Sequence, residues 1–339
     1  MKQHAEKEII VPTMLCDKKG NLNPEAIGYA RKPIIDCNLS GQFMRKKKWN
    51  YWCVYGEDIL FSATISHLDY AAVCFVYFLE YETQRYFEKT VLIPLGTKVK
   101  MSTQVLETVS FANSELRIHM SHFDGDTHLS VICPDFDGEH LQAELTIHHP
   151  AADDSLNVVI PWNRQTFQFT AKHHTLPTTG TVKIGNRRYT FNEEESYSVL
   201  DYGRGIWPRE ATWNWGMASQ RMRGRRIGLN FGGKWTDGTG MTENAIFVDG
   251  VMTKIHEDVI FEYDRNDFMK PWTIRSKFSE TVDLTFTPFF ERVAKTDAKL
   301  IRSEVHQVIG YYNGIVKLEN CSLRISQMMG CVEEHIAKW

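Results

Sequence analysis

The residues best suited to chemistry crowd between Asp201 and Asn244. There the chain reads D-Y-G-R-G-I-W-P-R-E-A-T-W-N-W-G, then G-R-R-I-G-L-N-F-G-G-K-W-T-D-G-T-G-M-T-E-N. Four of the nine tryptophans fall in this stretch: Trp207, Trp213, Trp215 and Trp235. Among them stand four carboxylic acids (Asp201, Glu210, Asp237, Glu243) and three asparagines (Asn214, Asn230, Asn244). A carboxyl group surrounded by indoles is desolvated, so its pKa rises and it keeps a proton to give near neutral pH. Aromatic faces stabilise a developing cation. Together they are what the protonation of an alkene carbon needs, the first step of hydrating, cyclising or isomerising an apolar substrate. Asp201 and Glu243 fit the acid role best, with Asp237 behind them. The asparagines can hold a water or a polar headgroup. The competing reading is a structural Asp201, satisfied by backbone amides or by Arg204.

Trp213 and Trp215 lie two apart, so on a strand both point to one face and Asn214 to the other. Two placements remain open: that face lines a barrel lumen as a ligand wall, or it packs as core on a second domain. The glycines at 203, 205, 232, 233, 238 and 240 lack the G-x-G-x-x-G order and a following helix, so they read as bulges and turns rather than a nucleotide cradle. A smaller cluster in the first half contains Trp49, Trp52, His67, Asp69 and Tyr70, of which Trp52, His67 and Tyr70 are candidate ligand contacts. His148-His149 and His173-His174 are adjacent pairs, which face opposite ways on a strand, and the expectation is no metal. The stretch has no G-x-S-x-G elbow and no cysteine signature of a nucleophile.

The elements that must position these groups are strands. From Trp49 onward short runs rich in Val, Ile, Phe, Tyr and Thr alternate with turn dipeptides: Asp124-Gly125, Asp137-Gly138, Gly185-Asn186, Asp249-Gly250 and Asn313-Gly314. A short helix is expected near Pro24–Ala30 and a turn or two of helix at 291–299. Pro177 to Gly180 reads as a break between strands. The fold class is all-β, and the strand count suits two tandem antiparallel barrels packed side by side. The expected division is an irregular wrap over 1–48, a first barrel over 49–160 and a second over 161–339, which carries the tryptophan-rich stretch.

Composition narrows the partners. The chain of 339 residues has a formal net charge of −3, which offers no basic face for nucleic acid. It contains no apolar run of bilayer-spanning length and no signal-peptide core near the start, so a cytoplasmic protein is expected. Seven scattered cysteines without a C-x-x-C argue against a disulfide framework.

The runs K-K-W-N-Y-W-C-V (47–54), S-H-L-D-Y-A (66–71), 199–216 and 227–250 resemble a bacterial family called domain of unknown function 2804. That family looks like a relative of a lipocalin-like group that includes hydroxyneurosporene synthase, tocopherol cyclase and AttH-like proteins, and fungal Diels–Alderases share the fold. The resemblance implies two lipocalin-like (calycin-like) barrels with an apolar polyene held at their interface. The group's acid-then-Trp segment is matched loosely by Asp201 through Trp207. Two functions are therefore expected. The favoured one is a cofactor-independent hydratase, cyclase or isomerase of an apolar isoprenoid or polyene-like molecule, collecting its substrate by transient membrane contact. The other is a non-catalytic carrier or sensor of a hydrophobic ligand.

Overall fold

A computed structural model describes residues 5–298, 301–319 and 321–338. Nearly all of it is strand, arranged as two curled antiparallel sheets, each a half-barrel. The first runs, neighbour by neighbour, through strands 86–94, 71–80, 59–67, 46–55, 197–206, 167–184, 139–148, 126–136, 117–123 and 109–112. The second runs through 251–254, 245–248, 225–233, 210–222, 322–338, 301–317, 282–298, 272–276 and 259–262.

The chain passes from one sheet to the other between Ile206 and Glu210, not at residue 160. The reason is strand Tyr197–Ile206, which fills the space between Lys46–Tyr55 and Phe167–Ile184 and would otherwise leave two unpaired edges in mid-sheet. Residues 5–45 wrap both halves. A 3-10 turn covers Pro24–Ala26, and strand Tyr29–Ala30 adds to Leu156–Pro161. Further toward the start, Glu6 reaches Lys254 of the second half at 2.8 Å, both side chains being buried.

Three of the expected turns are tight hairpins with both residues at positive φ: Asp124-Gly125 (52°, 81°), Asp137-Gly138 (58°, 83°) and Asp249-Gly250 (49°, 83°). That twist matches the strands they join. Three other expectations fail, all by underestimating strand length. Pro177 to Gly180 lies inside the 18-residue strand Phe167–Ile184, whose register shifts between His173 and Leu176 while Thr175 takes φ 55°. The bulge bends the strand without ending it. Asn313-Gly314 is likewise a bulge within Ile301–Lys317. The stretch 291–298 is strand rather than helix, paired with 301–308, and residue 299 lies outside the described residues.

Side-chain alternation sorts the core into layers. In Lys46–Tyr55, Trp52 and Val54 point into the first half-barrel, while Tyr51, Cys53 and Tyr55 point out toward the second. In Ser322–Lys338, Val332 points into the second half-barrel and Cys331 toward the first. The two half-barrels thus meet through their outer faces, and a third apolar layer forms between them.

Candidate functional site

The same alternation carries polar groups into that middle layer. Phe167, Phe169 and Ala171 face the first lumen, so Gln168, Thr170 and Lys172 face the second half-barrel. On the neighbouring strand Leu200 and Tyr202 face inward and Asp201 outward. From the opposite side come Trp213 and Trp215, and Glu333, which shares its face with Cys331. The two tryptophans therefore face the other half of the molecule rather than their own lumen. Asn214, pointing the other way, donates to the Tyr263 hydroxyl at 2.9 Å.

Lys172 is the hub. Its Nζ lies 2.9 Å from Asp201 Oδ1, 3.2 Å from Glu243 Oε2 and 4.0 Å from the centre of the Trp215 ring. Burial pulls the ammonium down, but the two carboxylates outweigh it and raise its pKa above the ordinary lysine value. Lys172, not Arg204, is thus the cation beside Asp201. Arg204 turns away to the carbonyl of Trp49 and to Asn50 Oδ1, both at 2.8 Å. Thr170 Oγ1 also donates to Asp201 Oδ1 at 3.2 Å. Burial raises the pKa of Glu243; Lys172 opposes this, and the charge of Asp201 adds to it. Glu243 Oε1 accepts the Trp235 indole at 2.8 Å.

Glu333 is in a different situation. Trp213 Nε1 donates to its Oε1 at 3.1 Å, while Oε2 has only a long 3.4 Å contact from Gln307 Nε2. Burial, with the nearby charge of Asp201, pushes its pKa up to about 7 against the pull of the Trp213 N–H, Lys172 and Arg292. Neighbouring cations are otherwise occupied. Arg292 forms two hydrogen bonds to Glu88, at 3.0 and 2.7 Å. The His335 imidazole, 3.9 Å from the Trp213 ring, is pushed down to about 3 by burial and by Arg292, so it is neutral. Three carboxyl groups share one ammonium here, and burial raises the pKa both of Glu243, which touches it, and of Glu333, which does not.

Aromatics enclose the cluster. Trp207 packs on Trp235 (5.3 Å), Trp162 (4.8 Å), Trp213 (5.1 Å) and Trp49 (6.0 Å). Its indole donates to Gln168 at 2.7 Å. Trp215 donates to Asn230 Oδ1 at 2.9 Å, and Asn230 also meets His174 at 3.1 Å. The partly buried residues around the middle layer include Trp49, Phe75, Tyr86, Trp213, Phe289 and Phe290, all aromatic. At one end Tyr55, Tyr81, Tyr311 and Met329 of this layer line a cleft of about 950 Å³.

The structure thus gathers Asp201, Glu243, Trp207, Trp213, Trp215, Trp235 and Asn230. Other candidates sit elsewhere. Asp237 is on an exposed turn, where it accepts from the Lys234 amide. Asn244 holds the Gly232 amide and the Glu257 carbonyl. Trp52 packs in the first lumen on His149. His67, at the end of strand 59–67, accepts the amide of Asp69, and Tyr70, in the loop after it, lies under Lys47. Lys172 and Glu333 were not singled out from sequence, because each sits in a strand of mixed composition, beside His173 and Glu334 respectively; both are buried, and a buried charged residue needs a partner or a purpose. Among the described residues no cluster of His, Cys, Asp and Glu is suited to a metal ion, and no helix is long and apolar enough to cross a membrane.

Residues 6–339 match the family model for a domain of unknown function, DUF2804. The chain belongs to the DUF2804 family. No curated protein matches it. Among solved structures, this DUF2804 chain is similar to kievitone hydratase from Nectria haematococca, with 9% identity and a TM-score of 0.45 over 86% of this chain and 88% of that one. It is similar to CghA with Sch210972, at 10% identity and a TM-score of 0.47 over 87% and 88%. It is also similar to an AttH protein from Nitrosomonas europaea, at 9% identity and a TM-score of 0.43 over 88% and 93%.

Proposed function

We propose that this DUF2804 protein is a cofactor-independent acid catalyst that hydrates, cyclises or isomerises an apolar, isoprenoid- or polyene-like molecule bound between the half-barrels. The observation that carries this is Glu333, a buried carboxyl with a pKa raised to about 7, set among aromatic rings. Glu333, rather than the ion-paired Asp201, is the proton donor in this reading. Its Oε2–H gives the proton to a substrate carbon, the faces of Trp213 and Trp49 stabilise the cation, and the Glu333 carboxylate remains. In a hydration, water then adds to the cation and loses a proton to Asp201 or back to Glu333. Lys172 fixes the Asp201 and Glu243 carboxylates beside the reacting centre.

The test begins with native mass spectrometry and lipid extraction of protein from its own host. Any co-purifying apolar compound is then incubated with wild type and with Glu333→Gln. Turnover by wild type that falls about 10²- to 10⁴-fold in the variant, with binding kept, is the expected result. Binding without turnover in either protein would instead leave a carrier, a role that the mutual packing of Trp162, Trp207 and Trp235 would serve equally well.

A further inference from the structure

Phe43 is the most exposed large hydrophobic residue among those described, at 85%. It is not on a slack loop. Gly41, Gln42 and Met44 beside it all have positive φ (63°, 44° and 63°), costly for the two non-glycine residues and kept only where surroundings impose it. Those surroundings are well tied. Arg45 N bonds the Gln42 carbonyl at 3.1 Å, and Lys46 Nζ the Gly41 carbonyl at 2.9 Å. Gln42 Nε2 bonds the Gln165 carbonyl at 3.1 Å, and Asp69 Oδ2 accepts the amides of Arg45 and Lys46. The fold thus spends strain to hold a phenyl ring in water.

The ring stands in a basic neighbourhood, although the whole chain carries a net −3. Arg45 and Lys46 follow it in sequence. The Lys18–Lys19 turn lies against Gly41, and Arg164 beside Gln165 is mostly exposed. The acids there are committed: Asp17 to Arg164 and the turn amides, Asp69 to Lys46. Arg45 also ties this loop to the tryptophans, its Nη2 donating to the Trp207 carbonyl at 2.9 Å.

A protruding ring near the exposed Lys18 and Lys19 is the pattern that inserts at a bilayer surface, the apolar group entering the headgroup boundary and the cations meeting anionic lipid. We infer that the loop 41–46, with Lys18, Lys19 and Arg164, is a docking surface for membranes containing anionic lipid. It supplies the place of the membrane contact through which the proposed reaction would collect an apolar substrate, but it is independent of which reaction follows. Lys18, Lys19 and Phe43 touch none of the groups assigned to that reaction.

Co-sedimentation of the purified protein with phosphatidylcholine vesicles, with and without phosphatidylserine, tests this. Wild type is expected to pellet with the serine-containing vesicles, and less so at high salt. Phe43→Ser should weaken that partition roughly tenfold or more. Lys18→Glu/Lys19→Glu should remove the preference for anionic vesicles, with thermal melting unchanged in both variants. A Phe43→Trp reporter should shift its fluorescence to the blue on the same vesicles. Glu333→Gln should bind as wild type does, which separates this surface from the acid site. Failure to pellet with either vesicle, or pelleting untouched by Phe43→Ser, would overturn the inference.

Discussion

Two corners of the middle layer are built from the same residue types and behave differently. In one, Trp235 donates to Glu243, and the carboxyl lies beside Lys172. In the other, Trp213 donates to Glu333, and no ammonium is in contact. Burial raises the pKa of both carboxyls, opposed mainly by the ammonium at Glu243 and by the indole N–H at Glu333. The difference teaches that the cation decides what deprotonation leaves behind: a paired carboxylate at Glu243, an unpaired one at Glu333.

The comparison can be broken most forcefully at Lys172. Lys172→Met strands Asp201 and Glu243 without their cation, and should cost about 3–5 kcal/mol in urea unfolding because a buried pair loses one partner. A loss well under that would mean the carboxyls are solvated or protonated, and the contrast between the two corners would collapse. The next effect is pH dependence from Glu333. Its pKa rises on folding from the ordinary 4.5 to about 7, so the native state holds a proton that the unfolded chain has released across that window. The contribution of Glu333 to stability should therefore fall as pH climbs from about 5 to 7, by on the order of a few kcal/mol, while the buried neutral His335 contributes the opposite slope over the acid part of that window. Glu333→Gln should remove the first contribution, so that stability rises more with pH over this window than it does in wild type when unfolding is followed at each pH. The same titration predicts a rate that declines above about pH 7. The smallest effect belongs to Asp237→Asn. Its turn position, exposed and tied to one amide, should leave stability within about 0.5 kcal/mol and turnover unchanged. A large effect there would relocate the chemistry.

Much of the architecture was legible because it is local. Asp-Gly pairs need positive φ and appear as hairpins, and period-two alternation marks the strands. The length of Phe167–Ile184 was not legible, since a bulge at Thr175 leaves the same signature as a strand end. The tryptophan-rich stretch was visible as composition, and Trp213 and Trp215 share a face while Asn214 takes the other. Lys172 and Glu333 lie far from that stretch in sequence and reach it only through sheet pairing, Asp201 with Lys172 on one side and Trp215 with Glu333 on the other. Non-local register is what a single sequence hides best. Asp237 and Asn244 show the converse: closeness along the chain placed them among the candidates, and the turns that hold them carry both away.

Strand Tyr197–Ile206 has a consequence for how this chain is made. It lies at the middle of the first sheet, yet it is the last of that sheet's strands to leave the ribosome. Until it arrives, the hairpins of residues 46–94 and the meander of residues 109–184 are two separate pieces, each with an open edge where it should be. Neither edge can be satisfied locally, so the nascent chain must wait with unpaired backbone exposed. A fragment ending at residue 160 would stay in that state, lacking both Phe167–Ile184 and Tyr197–Ile206. Asp201 sits on the strand that closes the gap, so one late step both completes the first half-barrel and places a carboxylate of the site.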